Sequence, residues 1–158
     1  MASGEKQGRV VELVDTQDSK SCAHSGREGS SPSSATMNVI ILEDRWKVRL
    51  EFLLKHFPYA IVCRRFRDLK RRVVLGEWDL ALLDHDLEEA PGYEGKNGAV
   101  AAKWLAQERP QIKKVIIHST NRRGAQRMED ALRHNYKVEQ VPFPNLKRRL
   151  KQDGAGGL

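Results

Sequence analysis

Aromatic residues make up 6% of this 158-residue chain, and none of them lies before residue 37. That opening segment also holds eight of the nine serines. A stretch so poor in large apolar side chains cannot bury enough surface to offset the entropy of ordering it. Residues 1–36 are therefore expected to form a disordered tail. Cysteine is scarce. Cys22 and Cys63 stand in unlike contexts, which excludes a disulfide framework and suits a reducing, cytoplasmic compartment. No apolar run approaches the roughly 20 residues a membrane-spanning helix needs, and the polar N-terminal stretch lacks the apolar centre of a secretory signal. Acidic charge is in deficit. Outside the first 36 residues the chain holds 24 basic and 16 acidic residues, a balance of +8. Such a surplus favours anionic partners such as nucleic acid, although a merely solubilised surface would carry it too.

The tail has a second reading. "VELVDTQDSKSC" can be back-translated so that CAGGA pairs with TCCTG around the loop TTCAAAA, the form of a leucine anticodon hairpin. "GSSP" can be written to resemble a T-arm. Residues from about Val10 to Thr36 then look like a transfer RNA gene read as protein, with the true start at Met37. Codons unable to form those two arms would end this reading.

From Met37 onward, apolar runs alternate with helical periodicity. "MNVIIL" (37–42) reads as a buried strand. "WKVRLEFLLKHF" (46–57) places Trp46, Leu50, Leu53, Leu54 and Phe57 at helical spacing, and Pro58 ends it. Strands are expected over 59–63, 79–83, 113–118 and 136–141. Helices are expected over 68–77, 99–108, 123–134 and 144–152. A polar, glycine-bearing loop should span 88–98, and residues 153–158 should form a flexible end. Five strands alternating with helices imply parallel pairing through right-handed crossovers. The expected fold is α/β: a flavodoxin-like, doubly wound five-stranded parallel sheet in the order 2-1-3-4-5, spanning 37–152.

Ligands of such sheets bind outside the carboxyl ends of the strands, where this chain concentrates its unusual residues. Glu43 and Asp44 end the first strand, Asp84, His85 and Asp86 the third, and His118, Ser119 and Asn121 the fourth. Carboxylates so placed repel unless a cation lies between them. Glu43, Asp44 and Asp84, with Asp86 beside them, are thus candidate ligands of Mg²⁺ or Mn²⁺. The competing reading makes Glu43 or Asp44 a helix N-cap. His85 and His118 are candidates for acid–base work, against a structural or solvated role. Ser119, Asn121, Arg122 and Arg127 are candidates for holding a phosphate at a strand-to-helix turn, against a helix cap and a solvated face.

These residues resemble the receiver domain of two-component response regulators. An acidic pair follows strand 1, an Asp ends strand 3, Gly98 follows it, a Ser ends strand 4, and "PF" follows strand 5. The resemblance implies that Asp84 accepts a phosphoryl group with Mg²⁺. Val141 departs from it, since receivers carry a Lys there. "LLDHDL", "VIIHSTNRRGAQRM" and "VPFPNL" together are similar to a divergent group, the cyclic-phosphate processing receiver domains. That resemblance implies work on cyclic phosphate ends of RNA, with RNA ends or phosphorylated nucleotides as ligands and RNA repair enzymes as partners. The expected activity is a metal-dependent phosphoesterase, with Asp84 as ligand or as nucleophile. Two rivals stay open: a phosphoacceptor response regulator, and an inactive module that binds RNA ends or a protein.

Overall fold

Val39–Leu42, strand β1, is buried at all four positions. A strand with no polar face can only sit inside a sheet covered on both sides, and β1 does. The computed structural model describes residues 36–87 and 97–158, apart from the side chains of Trp46 and Val48. The tail up to residue 35, with the transfer-RNA reading that falls on it, and the loop at 88–96 lie outside the described residues. The chain divides into two units, Met1–Ser34 and Ala35–Leu158, and the fold is that of the second.

After β1 come helix α1 (a π-helical turn Trp46–Leu50 running into Glu51–His56), β2 (Ile61–Cys63) and α2 (Phe66–Val73). Next are β3 (Trp78–Leu83), α3 (Gly98–Glu108), β4 (Ile112–Ile117), α4 (Arg122–Leu132), β5 (Lys137–Gln140) and α5 (Phe143–Asp153). The strands pair in parallel in the order β2-β1-β3-β4-β5, as the alternation of strand and helix patterns predicts. Among the described residues no helix is long and apolar enough to cross a membrane.

Side chains alternate across a strand, so the sheet divides the core in two. Ile40, Leu42, Ala81, Leu83, Val115 and Ile117 face one layer with Leu69, Leu105 and Met128 of α2, α3 and α4. Val39, Ile41, Leu80, Leu82 and Ile116 face the other, against Leu50 and Leu53 of α1 and Phe143, Leu146 and Leu150 of α5. Strand β2 is shorter than its apolar run, because a turn after Phe57 leaves Tyr59 exposed. Residues 153–158, expected as a flexible end, hold a 3-10 turn at Ala155–Gly157. Arg149 donates to the Gly157 carbonyl (2.9 Å), and Leu158 packs on the α1–α5 layer.

Candidate functional site

The strand register sets the site. Leu42 pairs with Leu83, Leu83 with Ile117, and Ile117 with Gln140. The ladder runs one residue further: the amides of Asp84, His118 and Val141 donate to the carbonyls of Leu42, Leu83 and Ile117 at 2.9–3.0 Å. Glu43, Asp84, His118 and Val141 thus form one row across the carboxyl edge. Since Leu42, Leu83 and Ile117 face the α2–α4 layer, alternation turns the next residue of each strand toward α1 and α5. His85 and Ser119, one residue further on, turn to the opposite layer. The pleat therefore parts Asp84 from His85, and Asp86, beyond the strand, turns back to the His85 ring.

In the first cluster Glu43, Asp84 and His118 are fully buried, which rules out the solvated role weighed for His118. The space between the carboxylates is filled by Arg49, in the π-helical turn of α1. Its Nη1 donates to Asp84 Oδ2 at 2.9 Å and lies 3.5 Å from Glu43 Oε2. The guanidinium also stacks over Phe143, 5.1 Å from the ring centroid. The remaining carboxylate oxygens are engaged as well. Asp84 Oδ1 accepts the His85 amide (2.9 Å), and Glu43 Oε1 accepts the Arg45 amide (3.0 Å), a part of the capping role weighed for it.

Burial pushes the Glu43 carboxyl up to about 7, with the Arg45 amide pulling the other way and Asp84 adding to the rise. Burial also raises Asp84, against the pull of Arg49, the His85 amide and the Ser119 hydroxyl. The short contact to Arg49 makes Asp84 the carboxylate that balances the guanidinium. Burial, with the Arg49 charge beside it, drives His118 down to about 3. Among the described residues neither of its ring nitrogens has a hydrogen-bond partner; Nδ1 lies 3.7 Å from Glu43 Oε2. At neutral pH His118 is therefore the neutral imidazole and no general acid, and Glu43 is the group of this row that titrates there.

His118 yields a pH prediction. Its folded-state value lies below its unfolded one, so the stability tied to its neutral form is fully present above about 6.5 and is lost as pH falls toward about 3. The stability of wild type relative to His118→Leu should rise by about 1.4 kcal/mol per pH unit across that window and level off above it. Urea unfolding of both proteins from acid to neutral pH measures this; a pH-independent difference would show that His118 is protonated when folded.

The second cluster lies on the α3–α4 side. His85 Nδ1 is 2.7 Å from Asp86 Oδ1. Asn121 Nδ2 donates to the same oxygen (3.0 Å), and Ser119 Oγ lies 3.5 Å from Asp86 Oδ2. Burial opposes ionisation of Asp86, but the hydrogen bonds from His85 and Asn121 outweigh it and hold the carboxyl low. With Nδ1–H given to Asp86, Nε2 of His85 is the acceptor nitrogen; it is buried and unpartnered among the described residues. Two glycines make room here. A Cβ on Gly98 would lie 2.2 Å from the Asp84 carbonyl, and one on Gly124 would lie 2.4 Å from the His85 ring. Gly124→Ala should therefore cost about 1–3 kcal/mol, the range for overpacking. Chemical denaturation tests it, and an unchanged midpoint would place the ring elsewhere.

The remaining candidates divide. Asn121 caps α4, its Oδ1 accepting the Gly124 amide (2.9 Å), and Ser119 Oγ accepts the Asn121 amide (3.1 Å). Ser119 therefore meets the capping alternative weighed for it, and Asn121 is the cap itself. Arg122 and Arg127 are exposed on α4, and Arg127 bonds back to the Arg123 carbonyl, so neither is brought to Asp84. Asp44 is half-buried beside Glu43. Burial pushes the Cys63 thiol up to about 12, which removes it as a nucleophile. The expected set for Mg²⁺ or Mn²⁺ does not fit as arranged. Asp86 is turned to His85, Arg49 stands between Glu43 and Asp84, and among the described residues no three acidic, histidine or cysteine side chains are grouped to hold a metal. Arg49 was missed in the sequence. Its signal was its place on the apolar side of α1, three residues after Trp46 and four before Leu53.

A parallel β2-β1-β3-β4-β5 sheet with an acidic strand-end row defines a receiver-fold domain. Solved structures agree. A CheY-like response regulator receiver domain protein from Methanospirillum hungatei JF-1 superposes with TM-score 0.51 at 14% identity, covering 75% of this chain and 93% of that one. The phosphorylated cyanobacterial phytochrome response regulator RcpA gives 0.50 at 15%, covering 74% and 90%. No curated protein matches the chain. The family model for the cyclic-phosphate processing receiver domain matches residues 39–134, and the chain belongs to that family.

Proposed function

We propose that this domain processes cyclic phosphate ends, those of RNA among them, as a phosphoesterase. One observation carries the reading: the sheet edge joins a guanidinium (Arg49), a carboxylate (Asp84) and a proton-holding carboxyl (Glu43), with an Asp-oriented histidine (His85) on its other face. Opening a cyclic phosphate forms a bond from water oxygen to phosphorus and breaks one from phosphorus to a ribose oxygen. The water loses a proton and the ribose oxygen gains one. Arg49 offsets the charge on the phosphoryl oxygens. His85 takes the water proton on Nε2, and Glu43 supplies the proton to the leaving oxygen. In the variant with Asp84 as nucleophile, an Asp84–phosphorus bond forms as the phosphorus–ribose oxygen bond breaks, Glu43 giving that oxygen its proton; water, losing a proton to His85, then bonds to phosphorus and breaks the bond to Asp84. The sequence-based expectation of Mg²⁺ or Mn²⁺ supplies no step, because Arg49 stands in that place. The exposed Arg122, Arg123 and Arg127 support an RNA ligand through their attraction for phosphates.

A second reading, the phosphoacceptor receiver, is favoured by Arg49 too, since it gives Asp84 the cation that Val141 withholds. The test is incubation of the full chain with RNA bearing a cyclic phosphate end, followed by chromatography of the products. An opened end is the expected result. An intact end with acetyl phosphate labelling Asp84 would favour the phosphoacceptor; an intact end without labelling would favour a binding module.

A further inference from the structure

The positions where a receiver fold would gather a cation hold a covalently attached one. Arg49 reaches the carboxyl edge from α1, lies across Phe143, and bridges Asp84 and Glu43. A guanidinium and a divalent ion cannot share those oxygens: Asp84 Oδ2 already accepts Nη1 at 2.9 Å, and like charges at that spacing repel strongly in a buried site. We propose that Arg49 replaces the divalent metal, so that the domain takes a phosphate group without one; this rests on reading the Asp84 edge as the phosphate site. Two features support it. First, the contacts to both carboxylates run through Nη1, and 9% of the side chain remains open. A guanidinium so held keeps donors in a fixed fork, the geometry that matches phosphoryl oxygens. Second, the site is built around the residue. Burying a charge is costly unless it is paired, and Asp84 pairs it while the Phe143 face receives it. Val141, where a lysine would otherwise approach, is buried and apolar beside Phe143, so that route to a cation is closed.

The experiment uses the full chain without RNA, so that inactivity on RNA, which would sink the phosphoesterase reading, is scored separately. Mn²⁺ binding is followed by electron paramagnetic resonance and by melting, and inorganic phosphate binding in EDTA by calorimetry. Wild type should bind phosphate in EDTA and show no Mn²⁺ site. In Arg49→Met phosphate binding should weaken roughly tenfold or more, the loss of a charged hydrogen bond. The vacated carboxylates should then take up Mn²⁺, seen as a metal-dependent rise in melting temperature. Arg49→Lys, which keeps the charge, should retain part of the phosphate affinity and exclude Mn²⁺; it serves should the methionine variant fail to fold. A Mn²⁺ site in wild type that Asp84→Asn removes would overturn the proposal. Phosphate binding that is absent, needs metal, or is unchanged in both Arg49 variants would overturn it equally.

Discussion

Asp84→Ala should lose roughly 3–5 kcal/mol of folding stability, the range for removing one partner of a buried ion pair. The loss comes less from the missing bond than from what stays behind. Arg49 would remain buried, over Phe143, with Glu43 at 3.5 Å as its remaining carboxyl partner here. Burial still raises that carboxyl, although the loss of Asp84 removes one cause of its rise, so at the longer distance it balances the charge only in part. Asp84→Asn should cost less, because its amide oxygen can still accept from Nη1. Replacing both partners by apolar residues should recover much of the loss, since an ion pair bought at a high desolvation cost is often matched by good packing. Urea denaturation of the singles and the double variant forms a closed cycle. A single-variant loss below about 1 kcal/mol, the range of surface pairs, would mean that Arg49 and Asp84 are apart in solution.

His85→Ala should lower turnover of a cyclic phosphate end by roughly a hundredfold to ten-thousandfold, the usual contribution of a positioned acid or base. His118→Leu should lower it far less. The two histidines lie just past the ends of β3 and β4, face opposite layers and differ in chemistry. Asp86 orients the His85 ring at 2.7 Å and leaves Nε2 to accept a proton. His118 is fully buried and held neutral down to about 3. Asp86→Asn should reproduce part of the His85 loss, because an amide can donate to Nδ1 and favour the wrong tautomer. Single-turnover rates, with far-ultraviolet circular dichroism to confirm folding, decide the matter. Equal losses in both histidine variants would restore His118 to the proton-transfer step.

Most of the sheet was legible because its strands are short apolar runs bounded by helical patterns. "VIIL" at 39–42 and "DLALL" at 79–83 admit little else, and the alternation sets parallel pairing. The strand-end position of Glu43, Asp84, His118 and Val141 followed from the same pattern, since the ends of parallel strands meet at one edge. Arg49 was legible only as a charge on the apolar side of α1, and not as a site residue. A charged side chain within an amphipathic helix is usually solvated, and its partners lie 6 and 35 residues away. The π-helical turn Trp46–Leu50, which carries Arg49, has no local signature in "WKVRL".

What the sequence alone determined is the order of elements, the sheet and the gathering of ionisable residues at its carboxyl edge, because periodicity and strand ends are local properties. The tertiary structure decided how those residues divide. Successive residues along the sheet edge face opposite layers, so Asp84 joined Arg49, Glu43 and His118 while His85 joined Ser119 and Asn121, and the turn after β3 brought Asp86 to His85. It also decided the protonation. Charge state depends on burial and on the nearest opposite charge, and both are set by packing among segments distant in the chain.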